Sequence, residues 1–159
     1  MREIKLNLGC GLKKKEGFIN IDINRRLNPD TVLDLNILPY PFKNDSIDYI
    51  YATQVIEHLE IHLIDFLKEI YRILSPEGIV EIIFPNMFSL KNRIRYLFGT
   101  ISSAPEWNPH HTKLVHPKYI LSLLRHIGFE PKIFHKNFPH FPFDYLFTAS
   151  VSIRARKRN

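Results

Sequence analysis

With 159 residues, the chain has room for one domain that buries roughly two thirds of its unfolded surface, and no separate substrate domain is expected. One cysteine excludes an intramolecular disulfide, and no apolar run approaches the roughly 20 residues of a membrane span. The net charge of +6 points to anionic partners, although Arg154, Arg156, Lys157 and Arg158 concentrate part of it in what reads as a solvated, frayed end.

The first strand, around Ile4, Leu6 and Leu8, starts so close to Met1 that no signal peptide is expected, and the cytoplasm is the expected compartment. It runs into Gly9-Cys10-Gly11, whose glycines allow a sharp turn and close approach to a ligand. The segment Leu12 to Gly17 is too short for the usual helix, and Phe18-Ile19-Asn20-Ile21-Asp22 forms the second strand, ending on an acid suited to ribose hydroxyls. Lys14 stands where a dinucleotide fingerprint needs its third glycine. Asp22 follows Gly9 by only 13 residues, against about 20 in that fingerprint. NAD therefore fits poorly, and no Walker lysine follows the glycines. S-adenosylmethionine, which has no phosphates to cradle, is the expected adenosine cofactor.

Further along, Thr31 to Leu35 reads as a third strand and Ile47 to Ala52 as a fourth, separated by Pro39, Pro41 and the turn Asn44-Asp45. Leu63, Leu67, Ile70 and Leu74 mark one face of a helix that Ser75-Pro76-Glu77-Gly78 stops. A buried strand follows from Ile79 to Phe84, and a short helix from about Leu90 to Phe98. Pro117 and Gly128 bracket another helix, and final strands are expected over Glu130 to His135 and Leu146 to Ile153. Alternating strands and helices imply a mainly parallel α/β sheet with its ligand at the carboxyl ends of the strands.

Four blocks in order, Leu6 to Gly11, Gly17 to Asp22, Asp34-Leu35 with Leu38-Pro39, and Ser46 to Leu59 with its Glu57-His58-Leu59 triplet, resemble class I S-adenosylmethionine-dependent methyltransferases of the type 11 group. The helix ending in Leu74-Ser75-Pro76-Glu77-Gly78 is similar as well. The resemblance implies a Rossmann-like, doubly wound three-layer sandwich, a single domain over 1–159, whose seven-stranded sheet carries an antiparallel final strand. It places Gly9 and Gly11 at the methionine portion of the cofactor, Asp22 at the ribose, Asp34 and Leu35 at the adenine, and Gln54 by the sulfonium. Asn7, Cys10, Ile23, Val55 and His58 complete the expected cofactor wall. The family usually has an acid where Asn7 stands, so weaker or water-routed binding of the methionine amino group is expected. The helix usual after the first strand and any leading helix before it are missing, so the site is expected to be more open than usual.

Methyl transfer from a sulfonium is an in-line displacement in which positioning matters most, so a base is optional. His58, His110, His111 and His116 are the candidates, with His110 and His111 the preferred substrate contacts. Gln54 occupies the first ligand position of the ExxEH metal pattern that some relatives carry, so no metal is expected. Cys10 has no adjoining base and reads as a small apolar residue. The aromatic and basic segment 86–116 is expected to form a substrate-side lid. The acceptor is expected to be a small molecule or a glycan. The alternatives are RNA and a catalytically inactive cofactor-binding or scaffold subunit; the oligomeric state is open.

Overall fold

The computed structural model describes residues 3–99, 115–134, 148 and 150–158. In chain order the elements are β1 (Lys5–Leu8), β2 (Ile19–Asp22), a short 3-10 helix (Arg25–Leu27), β3 (Thr31–Val32), β4 (Ile47–Thr53), α1 (Leu63–Ile73), β5 (Leu74–Pro85), α2 (Leu90–Leu97), α3 (Pro117–Ile127), β6 (Phe129–Ile133) and β7 (Ser150–Lys157). The strands form one seven-stranded sheet in the order β3-β2-β1-β4-β5-β7-β6. Pairing is parallel from β3 through β5, whereas β7 runs antiparallel to both β5 and β6. The chain winds outward from β1 in one direction and restarts at β4 in the other, which puts a topological switch point between the carboxyl ends of β1 and β4.

Strand alternation separates the two faces of the sheet. Leu6, Leu8, Ile50, Ala52, Val80, Ile82, Phe84, Val151, Ile153 and Ala155 join Phe66, Leu67, Ile70 and Ile73 of α1 and Ile120 and Leu124 of α3 in one buried cluster. The opposite face carries, in register across the strands, Asn7, Tyr51, Glu81 and Arg154, with Lys5, Tyr49, Ile83 and Ser152 around them. Neither α1 nor α3 covers that face. The stretch between β1 and β2, where doubly wound folds carry a covering helix, is the loop expected from its length.

Three expected boundaries shift, each for a visible reason. β3 stops at Val32 because Asp34 turns the chain, its Oδ1 accepting the Asn36 N–H at 2.9 Å. β5 starts at Leu74, directly after α1, and absorbs Ser75 to Gly78 as an irregularity: Ile47 pairs with Leu74, then Tyr49 with Ile79. Glu77 takes the left-handed conformation there (φ 65°). β7 extends to Lys157, so the basic end is not frayed. Arg154 pairs with Glu81, Arg156 with Glu77 and Glu130, and Arg158 with Glu130. Lys157 is buried, its Nζ donating to Asp45 Oδ1 (2.6 Å) and to the carbonyls of Tyr71 (2.8 Å) and Leu74 (2.7 Å). Among the described residues, no helix is long and apolar enough to cross a membrane.

Candidate active site

The turn after β1 is shaped by two left-handed residues, Gly9 (φ 59°) and Gly11 (φ 52°). A Cβ on Gly9 would lie 2.7 Å from Val55 Cγ2, so the absent side chain lets the β1 turn and the β4 turn close on each other. At Gly11 nothing lies within 4 Å of that position, so its backbone borders open space. Asp22 at the end of β2 ties the turn down: its Oδ2 accepts the Gly11 N–H at 2.8 Å and its Oδ1 the Asn24 N–H at 2.9 Å. Each of its carboxylate oxygens keeps a lone-pair direction beyond that bond.

The short loop after the glycines is held by an amide ladder. Asn7 and Asn20 are paired in register on β1 and β2 and are both buried. Asn7 Nδ2 donates to Asn20 Oδ1 at 2.9 Å and to the Lys13 carbonyl at 3.1 Å. Asn20 Oδ1 also accepts the Lys15 N–H at 2.8 Å, while its Nδ2 donates to Asp30 Oδ2 at 2.8 Å and to the carbonyls of Lys15 and Phe18, both at 3.2 Å. Lys14 Nζ donates to the Asn28 carbonyl. The Asn7 amide nitrogen is thus occupied in fixing the loop that stands in place of a helix. Sequence reasoning missed this role, because the two amides come together only when β1 and β2 pair in register. Asn20 and Asp30 were not singled out from the sequence.

Two cavities meet at the glycine turn. One, of about 310 Å³, is walled by Gly9, Asp22, Ile23, Asp34, Leu35, Gln54, Val55 and His58, together with Leu33, Asn36 and Leu59. The other, of about 570 Å³, is walled by Asn7, Gly9, Cys10, Gly11 and Gln54, together with Lys13, Lys14, Lys15, Tyr51 and Thr53. Gly9 and Gln54 border both. Every residue assigned to the cofactor wall by the family likeness therefore borders one cavity or both. Gln54 holds a left-handed backbone (φ 56°) while its N–H donates to the Ile83 carbonyl at 2.7 Å, which anchors the β4 turn to β5.

The chemistry of the individual groups is uneven. Glu57 is buried beside the β4 turn, and loss of solvent pushes its carboxyl up to about 7. His58, its neighbour, is exposed to the first cavity. His116 is built into the structure: its Nδ1 accepts the Lys118 N–H at 3.2 Å as the N-cap of α3, and its ring lies 4.6 Å from that of Phe88. Burial, then the charges of Lys118 and Arg93, hold its imidazole below the usual range. Cys10 is buried, and its thiol is pushed up by burial first and by the Asp22 carboxylate second, which leaves it unreactive. His110 and His111 lie outside the described residues, as does the whole of 100–114 in the lid segment; its described part includes α2, capped by Ser89. Among the described residues, no group of three or more His, Cys, Asp and Glu is placed to hold a metal ion.

A family model described as a methyltransferase domain matches residues 14–132. Among solved structures, the chain is similar to an S-adenosylmethionine-dependent methyltransferase from Archaeoglobus fulgidus, with a TM-score of 0.70 and 20% identity over 98% of this chain and 86% of that one. It is similar as well to one from Thermotoga maritima, described as a possible histamine N-methyltransferase (TM-score 0.66, 19% identity, 98% and 82% coverage). A third match is a complex of the Haloferax volcanii Trm112 methyltransferase activator with a putative methyltransferase (TM-score 0.60, 20% identity, 99% and 84%). At such identities the structures establish a shared fold. No functionally curated protein matches the sequence.

Proposed function

The chain belongs to the methyltransferase-domain family, and we propose that it transfers a methyl group from S-adenosylmethionine to a small-molecule or glycan-type acceptor. One observation carries this reading: two neighbouring cavities share Gly9 and Gln54 as walls at the switch point, with Asp22 lining the smaller one. The residues present fit the cofactor. Free lone pairs on Asp22 suit ribose hydroxyls; Ile23, Leu33, Leu35 and Val55 offer apolar walls to a purine; and the open space beside Gly11 admits the amino-acid end. When bound, the cofactor supplies an electrophilic methyl group on a sulfonium.

The protein's own contribution is mainly positional, a device worth up to roughly 7–11 kcal/mol of barrier. The Asp22 hydrogen bonds and the Gly9–Val55 contact fix the two turns relative to each other before anything binds. His58, exposed to the first cavity, is the proton acceptor we assign for a hydroxyl or amine substrate, with His110 and His111 of the lid segment as further substrate contacts. Glu57, next to it, titrates near neutrality. The site of action is the cytoplasm. A second reading, a silent cofactor-binding subunit, is favoured by the occupied Asn7 amide and the shortened loop.

Incubating the purified chain with methyl-labelled S-adenosylmethionine and cell extract tests the proposal. Label is expected in a small-molecule or glycan fraction and to survive nuclease. Its loss on nuclease treatment identifies RNA as the acceptor, and cofactor binding with no label in any fraction identifies the silent subunit. Replacing His58 by Gln is expected to lower kcat by roughly 10²- to 10⁴-fold with little change in KM if it takes the proton.

A further inference from the structure

The sheet face left uncovered by α1 and α3 holds a third cavity, of about 440 Å³, within the range of small-molecule sites. Parallel sheets of this class ordinarily bury both faces under helices, so aromatic and charged side chains concentrated on one of them require an account. At its centre Glu81 Oε2 accepts the Tyr49 hydroxyl at 2.6 Å and Arg154 Nη2 at 2.9 Å, which pins the guanidinium in one orientation. Arg154 Cζ lies 4.5 Å from the centre of the Phe134 ring, yet its side chain stays 42% exposed, and its buried Nε has no hydrogen-bond partner among the described residues. Across the cavity, Lys15 Nζ stands 4.0 Å over the Tyr51 ring and makes no ion pair among the described residues. Ser152 also borders the cavity, and its buried Oγ lacks a partner among the described residues.

Glu81 offsets the charge of Arg154 and Glu3 that of Lys5, so Lys15 is the surplus cation, and Arg154 retains donor capacity that Glu81 does not use. Rings at both ends and a cation beside each suit a flat molecule bearing an anion. A neutral apolar guest would leave the donors unmet, and a bare anion would leave the rings idle. We propose that this sheet face is a second binding site, for a planar aromatic molecule carrying a phosphate or carboxylate. Lys15 and Tyr51 also wall the larger cavity at the glycine turn, so the occupant lies next to the candidate cofactor site without depending on it.

The test is a fluorescence titration of the full chain with 1-naphthyl phosphate and with 1-naphthoate, using neutral 1-naphthol as control. At least one anion is expected to bind saturably and roughly tenfold or more tighter than naphthol, an advantage that shrinks at raised salt. Which anion binds tighter distinguishes phosphate from carboxylate. Arg154→Met and Lys15→Met are each expected to weaken binding roughly tenfold, and excess adenosine is expected to leave it unchanged. Naphthol binding as tightly as both anions, displacement by adenosine, or wild-type affinity in Lys15→Met would overturn the proposal. Thermal unfolding of each variant is measured alongside; should Arg154→Met fail to fold, Lys15→Met, in an exposed loop, decides alone.

Discussion

Asp22 does two jobs that the sequence shows as one. Its carboxylate organises the apo turn through Gly11 and Asn24, and the same oxygens are the acceptors proposed for the ribose. Asp22→Asn is therefore expected to weaken S-adenosylhomocysteine binding by roughly ten- to a hundredfold in calorimetry, at about 1.5–3 kcal/mol for hydrogen bonds to a charged group. Glu57 bears on stability. Its folded carboxyl titrates near 7, above its ordinary 4.5, so the folded state holds a proton that the unfolded chain releases. This contribution is fully present below about pH 4.5 and is lost as pH rises through 7, a change of about 3 kcal/mol. Urea unfolding is expected to show the wild type losing stability between pH 5 and pH 8 relative to Glu57→Gln. The sequence placed Glu57 in a recognisable triplet but not in the core, because burial of a carboxylate is a tertiary fact.

The loop from Leu12 to Gly17 shows how an element is replaced. Its missing helix was legible from length alone, yet what holds the loop was not, since Asn7 and Asn20 meet only once β1 and β2 pair in register. Asn20→Ala removes the acceptor for both Asn7 and the Lys15 N–H and the donor to Asp30. A cost of about 2–3 kcal/mol in denaturant unfolding is expected, with faster tryptic cleavage at Lys13 to Lys15 in the native state. At the other end of the chain, the run from Arg154 to Arg158 reads as a solvated tail by composition, whereas strand pairing gives its cations carboxylate partners and buries Lys157. Lys157→Met keeps the volume but strands the Tyr71 and Leu74 carbonyls. It is expected to cost about 1–3 kcal/mol, and Lys157→Arg is not expected to restore it in the crowded pocket.

At the scale of the molecule, the alternation of strands and helices follows from features that are local in sequence, namely apolar runs, the glycine turn, and the Pro117 and Gly128 punctuation of α3. The reversed final strand, by contrast, is expected from the family resemblance, and the strand order emerges only on pairing. The packing of both α1 and α3 on one face of the sheet is not local in sequence either, because it depends on which face each strand residue takes after pairing. Lys5, Tyr49, Tyr51, Glu81 and Arg154 lie far apart in the chain and assemble only across β1, β4, β5 and β7. The acceptor is equally illegible, since cofactor motifs say nothing about the partner across the methyl group.

The central claim is that the paired cavities at Gly9 and Gln54 form an S-adenosylmethionine site. Calorimetric titration of the purified chain with S-adenosylmethionine, with Asp22→Ala in parallel, addresses it directly. Saturable binding at one site per chain, weakened at least roughly tenfold in a variant that still unfolds cooperatively, is the result predicted. No saturable binding by the wild type, or equal binding by the folded variant, would contradict it.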